Sequence, residues 1–151
     1  MRLFIIAASI IVLDQFSKYL VVSLMQAGQS IPLINNFLHI TYVRNPGAAF
    51  GMLPYQTLFF VLVTLVVAVL IIYYYRTLSD DHKWLRLGLA LQLGGAIGNL
   101  IDRIMEGYVV DFIDFKIWPP VFNIADSAIV IGIVVFIIAF WRDPELRGEG
   151  S

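Results

Sequence analysis

Cysteine is absent from this 151-residue chain, and histidine occurs only as His39 and His82. The first absence excludes a cysteine nucleophile, a thiolate-bound metal and a disulfide framework, and it leaves the redox compartment open. No His-Glu-x-x-His is present, so a zinc peptidase of that type has no support. Charge is also scarce. Asp, Glu, Lys and Arg make up 14% of the residues, against about 25% in a typical soluble domain. The formal net charge is −1, which gives no basic footprint for nucleic acid. What fills the chain is apolar: 60% of the residues are hydrophobic and the mean hydropathy is +0.84. Lipid is therefore the expected solvent for most side chains. The length suits one domain over residues 1–151.

Four apolar stretches stand out. The first runs from Leu3 to about Leu24, interrupted by Asp14 and Lys18, and the second is free of charge from Phe50 to Tyr75. The third runs from about Leu87 to Ile101 and the fourth from about Ile124 to Trp141. Crossing the hydrocarbon core takes roughly 20 apolar residues. The second and fourth stretches meet that length, while the third is short and either ends inside the polar boundary or is extended by its neighbours. Arg2 before an apolar run imitates a signal peptide, but Asp14 and the missing Ala-x-Ala-like site favour a retained helix. The expected architecture is mainly α, with four transmembrane helices.

Lys and Arg placement sets the expected orientation. Arg2, Arg76, Lys83, Arg86, Arg142 and Arg147 flank one side; Arg44, Arg103 and Lys116 flank the other, with Lys18 near that end of the first helix. The positive-inside rule then puts both termini in the cytoplasm. Residues 25–54 and 102–121 form the outer loops. Residues 37–43 read as a strand, followed by a turn at Asn45-Pro46-Gly47-Ala48-Ala49-Phe50. Residues 107–115 read as a second strand, and the two are expected to pair into a small sheet on the membrane. The segment Arg76–Arg86 reads as a plain connector, and the polar tail after Arg142 is expected to be disordered.

Ionisable residues at membrane depth cost several kcal/mol unless paired or hydrated, so Asp14, Lys18, Asp102, Arg103, Asp111, Asp114 and Asp126 each need a reason. Asp14 and Lys18 stand four apart on one helical face, in the favourable order for an ion pair. A structural pair that lets Lys18 reach outward is preferred to catalysis. Ser17 and Lys18, adjacent on a helix, do not face each other as nucleophile and base. Gly94 and Gly98 form a Gly-x-x-x-Gly, a close-packing pattern between helices. Asn99, Asp102 and Arg103 then cluster at that helix's outer end, either as terminators and interfacial anchors or as groups that hold and orient a substrate or a catalytic group.

Asp111 and Asp126 are the favoured chemical pair. Asp126 lies three residues after Asn123, a capping-box arrangement at the start of the fourth helix. Asp111 sits in an apolar strand whose alternation sends Asp114 to the opposite face. Two carboxylates brought together at the edge of lipid cannot both ionise cheaply, so one keeps a proton. That shared-proton state is what an aspartic peptidase uses to activate water. From the residues alone, Asp14, Asp102 and Asp114 compete for these roles.

Five blocks in order resemble the bacterial lipoprotein signal peptidases, or signal peptidase II. They are Asp14-x-x-Ser17-Lys18, Asn45-Pro46-Gly47-Ala48-Ala49-Phe50, the run from Gly94 to Arg103, Val109-Val110-Asp111-Phe112, and Phe122-Asn123-Ile124-Ala125-Asp126-Ser127-Ala128. The resemblance implies four transmembrane helices with a small extracytoplasmic β-cradle in the bacterial cytoplasmic membrane. It implies an endopeptidase that cleaves prolipoproteins N-terminal to a diacylglyceryl-modified cysteine, without metal or cofactor. The family's catalytic aspartates match Asp111 and Asp126; its supporting residues match Asp14, Lys18, Asn45, Gly47, Asn99, Arg103 and Asn123. Membrane lipids and globomycin-type inhibitors are the further partners implied, and a monomer is expected. Asp114 has no role in this scheme. The rival readings are a small proton-coupled transporter and a non-catalytic assembly protein docking through its glycines; neither accounts for acids gathered at one edge.

Overall fold

The computed structural model describes residues 2–47 and 55–144. In chain order they form α1 (Arg2–Leu24), β1 (Ser30–Ile34), β2 (Leu38–Asn45), α2 (Thr57–Thr77), α3 (Lys83–Met105), β3 (Val109–Phe115) and α4 (Ile124–Arg142). The expected turn residues Ala48, Ala49 and Phe50, the start of the second apolar stretch, and the tail from residue 145 lie outside the described residues. Helices α1 (from Leu3), α2 and α4 are each long and apolar enough to cross a membrane. Their exposed faces carry Phe4, Val12, Phe16, Leu62, Val66, Val130 and Ile137, a surface that suits lipid rather than water.

The inner helix is α3, which contacts α1, α2 and α4. Its 23 residues reach about 35 Å at 1.5 Å per residue. The third apolar stretch looked short because α3 hides much of its circumference from lipid. A helix wrapped by others can carry Asn99 and Asp102 inward, where partners satisfy them. The buried stripe of α1 is Leu3, Ala7, Asp14, Lys18 and Val21, recurring at helical spacing.

Glycines set the approach of α3 to its neighbours. Gly94 faces Ala7 and Ile10 of α1, whereas Gly95 faces α4, where an added Cβ would lie 2.3 Å from the Ala125 carbonyl oxygen. That contact is with backbone, so the helices would have to separate. Gly95→Ala is expected to cost about 1–3 kcal/mol as overpacking, read as a lower thermal unfolding midpoint in detergent. An unchanged midpoint would show that the two helices can slide apart freely.

The three strands form one antiparallel sheet in the order β1-β2-β3. Pairing of β2 with β3 matches expectation, although β2 runs to Asn45 and β1 is additional. The β2–β3 register skips between Ile40 and Val43, a bulge that adds one residue opposite β3. Tyr42, Val110 and Phe112 consequently pack with Val21 of α1. Asn45 and Asp111 are left to meet on the other face.

Candidate active site

The start of α4 is fixed by its cap. Asn123 Oδ1 accepts the Asp126 N–H at 2.9 Å, and Asp126 Oδ2 accepts the Asn123 N–H at 3.3 Å. This is the expected capping box, which satisfies donors that a helix start leaves without intrahelical partners. It also fixes the side-chain amide. With Oδ1 occupied by a donor, Asn123 Nδ2 turns to Asp111 Oδ1 at 2.8 Å. The other Asp111 oxygen accepts from Asn45 Nδ2 at 2.9 Å, and Asn45 Oδ1 accepts the Gly47 N–H at 3.0 Å.

A second asparagine serves Asp126. Asn99 Oδ1 accepts from Lys18 Nζ at 3.0 Å and from Asn123 Nδ2 at 3.1 Å. Two donors on that oxygen fix the orientation, so Asn99 Nδ2 faces Asp126 Oδ1 at 2.7 Å. Asp111 and Asp126 thus lie on one asparagine-lined edge, reached from a β-strand and a helix start. Burial of Asp111, followed by the neighbouring Asp126 charge, pushes its carboxyl up to about 7, against the opposing effects of Asn45, Asn123 and Lys18. At neutral pH this arrangement can hold one proton and one negative charge.

Arg103 stands beside them on α3. Among the described residues its hydrogen bonds are two long ones, to the carbonyls of Asn99 at 3.5 Å and Gly47 at 3.4 Å. Its guanidinium lies over the Phe60 ring, 5.0 Å from the centroid. Such loosely committed donors can turn to an incoming carbonyl. A cleft of about 710 Å³ joins these groups to an apolar wall. Asn45, Asn99, Arg103, Asp111 and Asp126 line one part; Phe115, Trp118, Val121, Phe122, Val130 and Ile131 line the rest. Val130 and Ile131 are exposed on α4, so the wall opens toward the lipid-suited side. No signal in the sequence pointed to that wall.

The competing acids sit elsewhere. Asp114 faces away from Asp111, accepts from Thr41 Oγ1 at 2.6 Å and pairs with Lys116. Burial alone would raise its carboxyl, but the bonds from Lys116 and Thr41 outweigh burial and hold it below the usual carboxylate range. Asp14 and Asp102 both pair with Lys18, at 2.8 and 2.9 Å. The Asp14–Lys18 pair was foreseen, but the outward reach of Lys18 is not observed: Lys18 is 3% exposed. Two carboxylates and Asn99 draw its ammonium into the bundle. Gln15, not foreseen at all, joins the cluster by donating to Asp102 Oδ1 at 2.8 Å. Ser17 Oγ is occupied by the Asp14 carbonyl.

At the opposite end of α3 and α4, Ser79 Oγ meets His82 Nδ1 at 2.6 Å and His82 Nε2 meets Asp143 at 3.0 Å. This chain ties the α2–α3 connector to the end of α4, so that connector is more than a plain link. Among the described residues no group of three His, Cys, Asp or Glu side chains could hold a metal ion.

Comparison with known proteins bears on the family and the fold. The model of the family described as "Signal peptidase (SPase) II" matches residues 6–142. A relative from Moorella thermoacetica named "Lipoprotein signal peptidase" is 53% identical over 135 residues, covering 89% of each chain. Another of that name, from Halothermothrix orenii, is 48% identical over 144 residues, covering 95% of this chain and 97% of its own. Two solved structures, described as a bacterial membrane enzyme at 2.3 and 1.9 Å resolution, superpose with TM-scores of 0.89 and 0.86. Each is 37% identical and covers 94% of this chain; the shares of their own lengths are 88% and 94%.

Proposed function

The chain belongs to the signal peptidase II family, and from that membership we propose that it removes signal peptides from prolipoproteins with Asp111 and Asp126 as the catalytic pair. The substrate is a prolipoprotein whose cysteine already carries a diacylglyceryl group, and cleavage falls on the N-terminal side of that cysteine. The observation that carries the reading is Asn123, which donates to Asp111 and caps the helix whose first turn holds Asp126.

One carboxyl of the pair holds a proton and the other is ionised. The ionised group takes a proton from water, and the resulting hydroxide equivalent attacks the scissile carbonyl. The protonated group donates to that carbonyl oxygen, and a proton is then delivered to the leaving amine. Asn45, Asn99 and Asn123 keep the two carboxyls turned toward the reacting atoms. Arg103 and the Gly47 backbone orient the substrate chain, and Lys18 with Asp14 supports the pair from beneath.

The same reading makes α3 a fourth membrane span, puts both termini in the bacterial cytoplasmic compartment and sets the cleft at the outer face of the cytoplasmic membrane. The distribution of Lys and Arg supports this. The three-stranded sheet then cradles the substrate where lipid ends. Acyl chains stay in lipid, held by ~0.8 kcal/mol per buried CH₂, while the peptide meets the pair. A globomycin-type substrate mimic would occupy the same cleft, and the enzyme acts as a monomer.

Purified protein given a diacylglyceryl-modified prolipoprotein peptide is expected to release a fragment beginning at the lipidated cysteine. The pH dependence has a definite sign. Burial and the Asp126 charge push the Asp111 carboxyl up to about 7, so the pair is expected to lose its shared proton as pH rises through that value and kcat/KM to decline, approaching tenfold per unit. No cleavage by folded protein, or a rate unchanged from pH 7 to 9, would sink the assignment.

A further inference from the structure

Asp14, Lys18 and Asp102 are 0%, 3% and 6% exposed, and none of them touches Asp111 or Asp126 through a hydrogen bond given above. Two further contacts show where they act. Asp14 Oδ1 accepts the Ala125 N–H at 2.9 Å, across 111 positions of sequence. Asp102 Oδ2 accepts the Val110 N–H at 3.0 Å. Ala125 immediately precedes Asp126, and Val110 immediately precedes Asp111. Lys18 bonds to both carboxylates and, with its third donor, to Asn99.

We propose that Asp14 and Asp102 are positioning residues for the aspartate pair, each holding the backbone N–H just before one catalytic aspartate, with Lys18 locking the two holds together. The inference rests on Asp111 and Asp126 being that pair.

Either N–H could have been satisfied more cheaply. The Ala125 N–H is one of the donors a helix start leaves without an intrahelical partner, and Asn123 already serves its neighbour. Water or a local hydroxyl would suffice. Here the acceptor is a buried carboxylate from another helix, which carries a desolvation penalty of several kcal/mol before its partner is counted. The Val110 N–H belongs to an edge strand, and its acceptor comes from α3 rather than from another strand. Room for this arrangement is built in: a Cβ at Gly98 would lie 2.7 Å from Asp14 Oδ2. Gln15 also bridges Asp14 and Asp102, at 3.3 and 2.8 Å. Strand β3 and helix α4, which meet through the pair, are thereby registered against one ammonium.

Asparagine at position 14 or 102 keeps an oxygen for the backbone N–H, whereas alanine does not. In Asp102→Ala and Asp14→Ala, kcat per folded molecule is expected to fall by about 10-fold or more with KM within about threefold of wild type. The asparagine variants should recover most of that kcat. The chain has no cysteine, so spin labels at Ile117→Cys and Val134→Cys, both on exposed positions, report the spacing of the β3 end from α4 without any assay of activity. That distance distribution should broaden with alanine and stay narrow with asparagine. Unchanged distances in the alanine variants, or losses of kcat that merely track the folded fraction, would overturn the proposal. Broadened distances in a protein whose wild type cleaves no lipidated peptide would sink the peptidase reading while leaving the registration intact.

Discussion

Asp111→Asn and Asp126→Asn are each expected to reduce cleavage of a lipidated prolipoprotein peptide by about 10³-fold or more, with both variants still folded. The size follows from the role. Positioned acid–base groups contribute typically 10²–10⁴-fold, and here one pair performs both halves of the proton traffic. Folding should survive because asparagine keeps the volume and one acceptor oxygen. At position 126 that oxygen can still take the Asn123 N–H, preserving the capping box that starts α4. At position 111 it can still accept from Asn123 or Asn45, which now donate to Asp111. The amide cannot take a proton from water near neutral pH, nor hold the shared one. Rates should be normalised to folded protein by thermal unfolding in the same detergent. Near-normal turnover in either variant would move the chemistry away from this pair. Asp14 would be the next acid to test, since Asp114 faces away and is committed to Thr41 and Lys116.

The helices were legible because lipid imposes a length and a composition on whatever crosses it. Their bounds were less so where one helix is sheltered by the others. Lys83 and Arg103 belong to α3, although an apolar count ends the stretch near Ile101. Strand β3 was legible from alternation, which correctly separated Asp111 from Asp114. Strand β1 was not: it is exposed along its whole length and contains Pro32, which argues against a strand except at a sheet edge. The bulge beside Tyr42 left no mark that alternation could register.

Side-chain partners followed the same division. The Asn123–Asp126 cap is local, so spacing predicted it. The pairing of Lys18 with Asp102 joins α1 to α3 and could not be read from α1, where only Asp14 stands at helical distance. Asn45 and Gly47 were given site roles by resemblance alone, whereas Arg103 also stood out as an ionisable residue at the outer end of its helix. The geometry links Asn45 to Asp111, Gly47 to Asn45, and Arg103 to the Gly47 carbonyl, relations that no periodicity encodes. Gln15 lacked any signal, because a glutamine beside an ion pair on a helix looks like ordinary surface polarity.

Asn123 is where fold and chemistry can be separated. Its oxygen caps α4, and its nitrogen donates to Asp111, Asn99 and the Val110 carbonyl. Asn123→Ala removes both functions. Loss of a cap costs about 0.5–2 kcal/mol, and buried acceptors left without this donor add to that cost, so a total of about 2–4 kcal/mol is expected from the two effects together. The rate per folded molecule should also fall by about 10²-fold, because Asp111 loses one of its two amide donors. Asn123→Ser divides the two effects. Serine caps helices as well as asparagine does, so the part of the stability lost with the cap, about 0.5–2 kcal/mol, should return, measured as the unfolding midpoint. Its hydroxyl is too short to cap Asp126 and reach Asp111 together, so the rate should remain low. A serine variant that recovers stability and rate together would mean that Asn123 matters only as a cap, and that Asp111 is held in place by Asn45 and the strand alone.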